Sequence, residues 1–204
     1  MRFLKIFGLA AIAATALLAF IGASTASATV LCEETPAGDC AAGKVVAKGS
    51  TLTLSLESGT SLLMKGPFGE TIGTCTESTM QGPTSNTGNT AETIKFSLII
   101  FSFGQCNHPI TVTAFGTIEA HHISGTDNGI FTSTGATFII HATLFGSCQY
   151  STSATSLGTL TGKTASAPTF DINAKISSEN GCPQMSWSGS YISTGATNFN
   201  VSAG

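Results

Sequence analysis

Charge is what this sequence has least of. Only 9% of its residues are Asp, Glu, Lys or Arg, against about a quarter in ordinary soluble domains. The single arginine is Arg2, and beyond residue 28 six lysines face eleven acids, a balance of −5. Proteins that track phosphates need clustered Lys and Arg, so nucleic acid is excluded as a partner. An acidic membrane surface is disfavoured on the same ground. Helical periodicity is also missing: after the first apolar run, no segment of 11 or more residues repeats its apolar positions at helical spacing. There is no Gly-x-Ser-x-Gly elbow, no spaced Cys/His set of the zinc kind, and no cofactor motif. What remains is a chain whose surface must be carried by Ser, Thr, Asn and Gly. Threonine's β-branched side chain suits a pleated strand.

Residues 1–28 have the features of an export signal. Arg2 and Lys5 form a basic start, residues 6–21 an apolar run, and Ala26-Ser27-Ala28 an A-x-A cleavage site. The run of 16 residues falls short of the roughly 20 that a spanning helix requires, so a retained anchor is the weaker reading. Lipid attachment at Cys32 is set aside, because Leu31 stands where a small side chain is needed. Cleavage leaves 204 − 28 = 176 residues, 29–204, as a single secreted all-β domain with room for a sizeable core. No membrane span is expected after cleavage, and the expected location is extracellular or at the cell surface. Six cysteines behind such a signal imply three disulfides formed in an oxidising space.

Strand signals fill the mature chain. Leu52, Leu54 and Leu56 alternate with Thr51, Thr53 and Ser55, a half-buried strand. Ser58-Gly59 is expected to turn the chain so that residues 60–65 return beside it, and Gly66-Pro67-Phe68-Gly69 makes the next turn. Residues 71–80 form a strand and 81–90 a loop. Residues 94–103 are apolar at both parities, which predicts a central strand covered on both faces. Residues 136–145 give the same pattern. Ile110, Val112, Ala114 and Ile118 point inward in a further strand. Later strands run over 157–162, 169–176 and 185–191. The sum is an all-β, antiparallel β-sandwich or barrel-like fold.

One motif comes twice. Gly73-Thr74-Cys75-Thr76-Glu77-Ser78-Thr79 and Gly146-Ser147-Cys148-Gln149-Tyr150-Ser151-Thr152 both read Gly-x-Cys-x-x-Ser-Thr, 148 − 75 = 73 residues apart. That spacing is too long for a solenoid repeat. It suggests two related halves, about 44–120 and 121–204, each with one cysteine pair. Six cysteines allow 15 pairings, and sequence alone does not choose among them. If each half was copied whole, the map is Cys75–Cys106 and Cys148–Cys182, with separations of 31 and 34, and Cys32–Cys40 closes a local loop. A weaker echo sets residues 133–137 against 193–197, both Ser-Thr-Gly-Ala-Thr.

Few residues are candidates for chemistry. His121-His122 is the only adjacent metal-capable pair, with His141 or Asp127 as helpers, but neighbours in a strand face opposite ways. No structural metal is expected there. The serines form no recognisable nucleophile–base pair, cystine sulfurs are not nucleophiles, and the acids are scattered, Glu33-Glu34 falling in the first disulfide loop. Trp187 and Tyr191 would suit a sugar-stacking platform, yet they share a face with Met185 opposite a row of serines, which is the pattern of a core face. The Thr-x-Thr pairs recur at intervals of 23, 37, 21 and 27, too irregular for an ordered array.

The Cys32…Cys40 loop, the Cys75-Thr76-Glu77-Ser78-Thr79 stretch and the tail Gly181-Cys182-Pro183…Trp187…Tyr191 resemble a group of small secreted, cysteine-containing β proteins of actinobacteria that is uncharacterised. The resemblance implies export and a β fold and carries no activity. The expected function is therefore non-catalytic, a structural or surface-interaction role with an extracellular partner. An extracellular binding module for a polysaccharide or apolar ligand is the alternative, and a hydrolase the third reading.

Overall fold

The computed structural model describes residues 29–33, 40–88, 93–126, 128–142, 146–153, 155–161, 169–179, 181–194 and 200–202. The predicted export signal, Asp127 and the end of the second Ser-Thr-Gly-Ala-Thr echo lie outside them. The described strands are β1 (Val30–Cys32), β2 (Thr51–Leu56), β3 (Leu62–Lys65), β4 (Thr71–Pro83), β5 (Ile94–Ser97), β6 (Ile100–Cys106), β7 (Ile110–Ala114), β8 (Thr117–His122), β9 (Gly129–Thr134), β10 (Thr137–Ala142), β11 (Gly146–Ser151), β12 (Thr155–Thr161), β13 (Thr169–Ser178), β14 (Met185–Ser193) and β15 (Asn200–Ser202). The expected all-β antiparallel architecture is present, and its form is barrel-like.

Thirteen of the strands belong to one sheet, and their registers merge them into eight long segments: β2–β3, β4, β5–β6, β7–β8, β9–β10, β11–β12, β13 and β14. Each segment pairs antiparallel with the next in sequence. The last, β14, pairs back onto both β2 and β3 and closes the ring. An up-and-down barrel of this size has an interior just wide enough for side chains to fill. Here Leu54, Leu62, Met64, Phe131, Phe138, Tyr150, Phe170, Trp187 and Tyr191 are among those filling it. Complete burial of each large apolar side chain is worth about 1.5–3 kcal/mol.

The expected β2–β3 hairpin is not formed. Both strands run antiparallel to β4 and to β14, so β3 continues in the direction of β2 after an excursion over residues 57–61. Leu52, Leu54, Leu56, Leu62 and Met64 all stay on the core side. The neighbouring strand accommodates the excursion at Gly189, where an added Cβ would stand 3.0 Å from Leu62 and 3.3 Å from Leu56.

Residues 94–103 are not one doubly covered strand. Their ladder to β4 shifts by one residue between the Thr84↔Phe96 bridge and the Gln81↔Ile100 pair, since three steps on one side match four on the other. That extra residue is a β-bulge, and it flips the face on which side chains fall. Ile94 and Phe96 point inward before it, Phe101 after it, and Ile99 and Ile100 are left exposed at 54% and 41%. A continuous apolar stretch thus encodes two inward sets in opposite phase. The expected loop over 81–90 also begins later, because β4 runs on to Pro83 and bridges at Thr84. The second apolar stretch is one-sided in β10: Phe138, Ile140 and Ala142 are buried while His141 is exposed. Of the inward set expected in residues 110–118, Ile118 is buried, Ile110 and Val112 are half-buried, and Ala114 is exposed.

Bends in four adjacent segments line up as a crease across the wall. Leu98 N–H donates to Gly116 O (3.1 Å), and Gly135 N–H donates to Thr152 O (2.8 Å). Gly116 and Gly135 both take positive φ, 74° and 77°, which glycine adopts without steric cost. At Gly116 an added Cβ would also sit 2.3 Å from Ala136 N. Buried Thr152 holds the crease from inside, accepting from Ala136 N–H and bonding Ser133 Oγ, each at 3.0 Å.

The ends of the barrel are finished differently. The terminal strands β1 and β15 pair with each other and set Leu31 and Val201 into the core over one end, called the upper end below. The backbone N–H of His122 donates to Thr29 Oγ1 there. Cys32 is bonded to Cys40 beside this ribbon. The other two disulfides, Cys75–Cys106 and Cys148–Cys182, lie below the crease. The half boundary at 120/121 falls inside β8, so the two sequence halves share one barrel wall.

Candidate functional site

The barrel interior is occupied by side chains. Above the crease, Phe96, Phe131, Phe170 and Tyr191 stack in series, with centroids 4.6–6.3 Å apart. Below it, Phe101, Phe103, Phe138 and Tyr150 gather with Trp187, which stacks on Phe101 at 5.7 Å. Trp187 is 1% exposed and Tyr191 fully buried, so neither offers a platform to solvent. A cavity lined by Leu52, Leu54, Met80, Phe96, Leu98 and Ile118 holds about 10 Å³. That is room for a single water at most, in walls that give it no partner.

Among the described residues few polar side chains are buried. The Tyr191 hydroxyl donates to Ser78 Oγ (2.9 Å), which donates to Ser102 O (2.9 Å). Burial pushes the Tyr191 phenol far above its ordinary range, while the Ser78 bond and the nearby Trp187 indole pull it weakly back. That indole does not reach hydrogen-bond geometry: Trp187 Nε1 and Tyr150 Oη are buried without partners. The Tyr150 phenol is raised too, by burial first and by the Glu70 carboxylate second.

The histidines do not converge. His122 Nε2 lies 2.5 Å from Thr126 O, His121 Nε2 lies 4.0 Å from Glu119, and His141 stands on another strand between Ser147 Oγ (2.9 Å) and Thr111 Oγ1 (3.2 Å). Among the described residues no three His, Cys, Asp or Glu side chains gather as a metal site. The Ser147–His141 contact is solvent-exposed.

The irregular part of the wall lies between β6 and β7. β6 pairs only with β4 and β7 only with β10. Among the described residues no backbone hydrogen bond joins their facing edges. They are held together only at the ends of this seam: at the crease by the Leu98–Gly116 bond, and at the bottom by residues 107–109. Those residues are themselves pulled apart. Asn107 bonds Thr74 through both backbone (3.0 Å) and side chain (2.7 Å), while Pro109 O accepts from His141 N–H (2.9 Å). The Cys75–Cys106 bond draws the end of β6 the same way, toward β4.

The seam is floored by half-buried Phe103, Ile110 and Val112, packed against the core. At its head stand exposed Ile99, Ile100 and Phe115, three of the five most exposed large apolar side chains among the described residues. Neither β6 nor β7 contains a charged residue. The one legible clue in sequence is the phase switch, from apolar positions 94, 96 and 98 to 101 and 103. The unpaired edges depend on partners chosen elsewhere in the fold.

The geometry defines a disulfide-stapled, closed antiparallel barrel with one unzipped seam. No family model, curated protein or solved structure matches the chain.

Proposed function

We propose that this is an exported, non-catalytic β-barrel that works at or outside the cell surface by contact with a partner. The observation that carries this reading is the filled interior. Trp187 and Tyr191, the aromatics best suited to hold a sugar, are core residues, and the cavity beside Met80 and Phe96 has room for no more than one water. Recognition is thereby assigned to the outer wall rather than to an internal site. Three disulfides suit an oxidising space, and the export signal over residues 1–28 supplies the route. The paired Gly-x-Cys-x-x-Ser-Thr motifs are read as an internal repeat whose copies have diverged in use.

The test is expression of the full chain in a bacterium with intact export, followed by fractionation and intact mass. The expected product lies outside the cytoplasm, begins at Thr29 and is lighter than the reduced chain by six hydrogen atoms, two for each disulfide. A cytoplasmic product beginning at Met1, or turnover of ester, peptide or glycoside substrates that survives purification, sinks the reading.

A further inference from the structure

We infer that the seam between β6 and β7 is a docking site for an extended, uncharged polypeptide strand supplied by another protein. This rests on the surface-contact reading and names its place and chemistry.

The free edges come first. Every other residue of a strand turns its N–H and C=O away from its paired neighbour. β6 has β4 on one side and β7 has β10 on one side, and the edges that face each other carry no ladder. Elsewhere among the described residues neighbouring segments of the barrel are joined by ladders or bridges, so this stretch of main chain is the exception there. Groups spaced at the strand repeat are matched best by another strand, the mode known as β-augmentation. A lipid chain or a sugar offers no such repeat.

Two of the usual guards of an edge, charge and proline, are missing, and β7 keeps a single bulge at Thr113. Natural edges are blunted by lysine, by proline within the strand or by inward charges. β7 reads Ile-Thr-Val-Thr-Ala and β6 Ile-Phe-Ser-Phe-Gly-Gln-Cys, with no charge and no proline in either. Glu77, folded over Gly104 on the β4 side, is a nearby acid. A charged side chain laid beside Phe103 and Val112 would lose hydration, and neither β6 nor β7 has a charged residue to pair with it. The occupant is therefore uncharged.

The apolar surface supplies the rest. Phe103, Ile110 and Val112 form a half-exposed floor, and Ile99, Ile100 and Phe115 continue it at the crease. A strand bonded along β7 places one set of alternate side chains on this strip and the other set in solvent. The fitting sequence alternates branched apolar residues with Ser or Thr.

The chain carries one tryptophan, and its ring lies 5.8 Å from Phe103, so Trp187 fluorescence reports on the seam. The probe is an acetylated, amidated Val-Thr alternating heptapeptide with a polyethylene glycol tail, titrated into the oxidised mature protein. Amide chemical shifts are followed in parallel. The expected result is a saturable Trp187 change below about 1 mM, with shifts confined to β6, β7 and the crease. N-methylating alternate peptide amides weakens binding about tenfold or more. Thr113→Lys, at an exposed position whose hydroxyl donates to Thr137 O on β10 (3.2 Å), weakens it about fivefold with a Tm loss of no more than a few degrees. Should that variant lose more stability, Ala114→Lys at the adjoining exposed position takes its place.

No saturable change at about 1 mM, equal binding of the N-methylated peptide, or shifts elsewhere on the barrel each overturn the inference. A dimer that forms without peptide and is lost in Thr113→Lys overturns it in favour of a second copy of this chain. Failure of the peptide leaves an exported contact protein standing, whereas a cytoplasmic or catalytic protein removes the broader reading whatever the peptide does.

Discussion

Above the crease the barrel wall is continuous: β2, β4, β5, β8, β9, β12, β13 and β14 pass hydrogen bonds all the way round, and no disulfide crosses them. Below it the ring is open between β6 and β7, and β11 meets β13 through the pairs Tyr150↔Ser178 and Ser151↔Ser177, extended one step by Glu179 N–H donating to Gln149 O. Both wall disulfides are in this lower half. Cys75–Cys106 joins directly opposed residues of β4 and β6, with Cα atoms 4.0 Å apart, on the bank of the seam. Cys148–Cys182 ties β11 to the turn after β13, beside the short ladder, where Ser178 Oγ also donates to Cys182 O. The two copies of one sequence motif are therefore used differently, one across a ladder and one from strand to turn. Covalent bonds stand where the hydrogen-bonded wall is weakest.

Removing a staple from the lower half should break this balance most. Replacing Cys75 and Cys106 together by alanine frees a loop of 31 residues, an expected loss of about 3–4 kcal/mol. Urea unfolding measures the total. Hydrogen exchange locates it, with protection falling first in β6, β7, β10 and β11 and last in β8, β9 and β12. Equal loss in both halves would contradict the division.

The upper half should instead be sensitive to close backbone approach. An added Cβ at Gly158 would come within 1.8 Å of Asp171 O, and one at Gly82 within 2.2 Å of Ser97 O. Gly158→Ala and Gly82→Ala should each cost about 1–3 kcal/mol. Gly43→Ala, with nothing within 4 Å, should change stability by less than about 0.5 kcal/mol.

The smallest effects compare two buried phenols. Tyr191 above the crease donates to Ser78, while Tyr150 below it has no partner. Tyr191→Phe should cost about 1 kcal/mol, and Tyr150→Phe should be neutral or stabilising. Both pKa values are raised in the fold from the ordinary 10.0. Above pH 10 the unfolded chain thus binds fewer protons than the folded one. Stability is full below that pH and falls as pH rises beyond it. Rapid pH-jump unfolding of the oxidised protein should show this fall, reduced in each Phe variant. A wild-type profile that stays flat above pH 10 would show that the phenols do not report on folding.

Period-2 patterning largely determines the strand content of this protein, because alternation of Leu, Ile and Phe with Thr and Ser needs only the pleat to be read. The cores of β2, β13 and β14 follow from it residue by residue, as does the turn at Gly69. A local pattern does not reveal the direction in which a strand continues. Leu62 and Met64 fit a returning strand and a continuing one equally well, and only β4 and β14, lying alongside both parts, decide for continuation. The same holds for residues 94–103, where apolar side chains at both parities suit a doubly covered strand or two strands out of phase across a bulge. The seam is further still from local signal. Its edges are unpaired because Asn107 is bonded to Thr74, Pro109 to His141 and Cys106 to Cys75. Those contacts span 33, 32 and 31 residues and exist only once the barrel has brought their strands together.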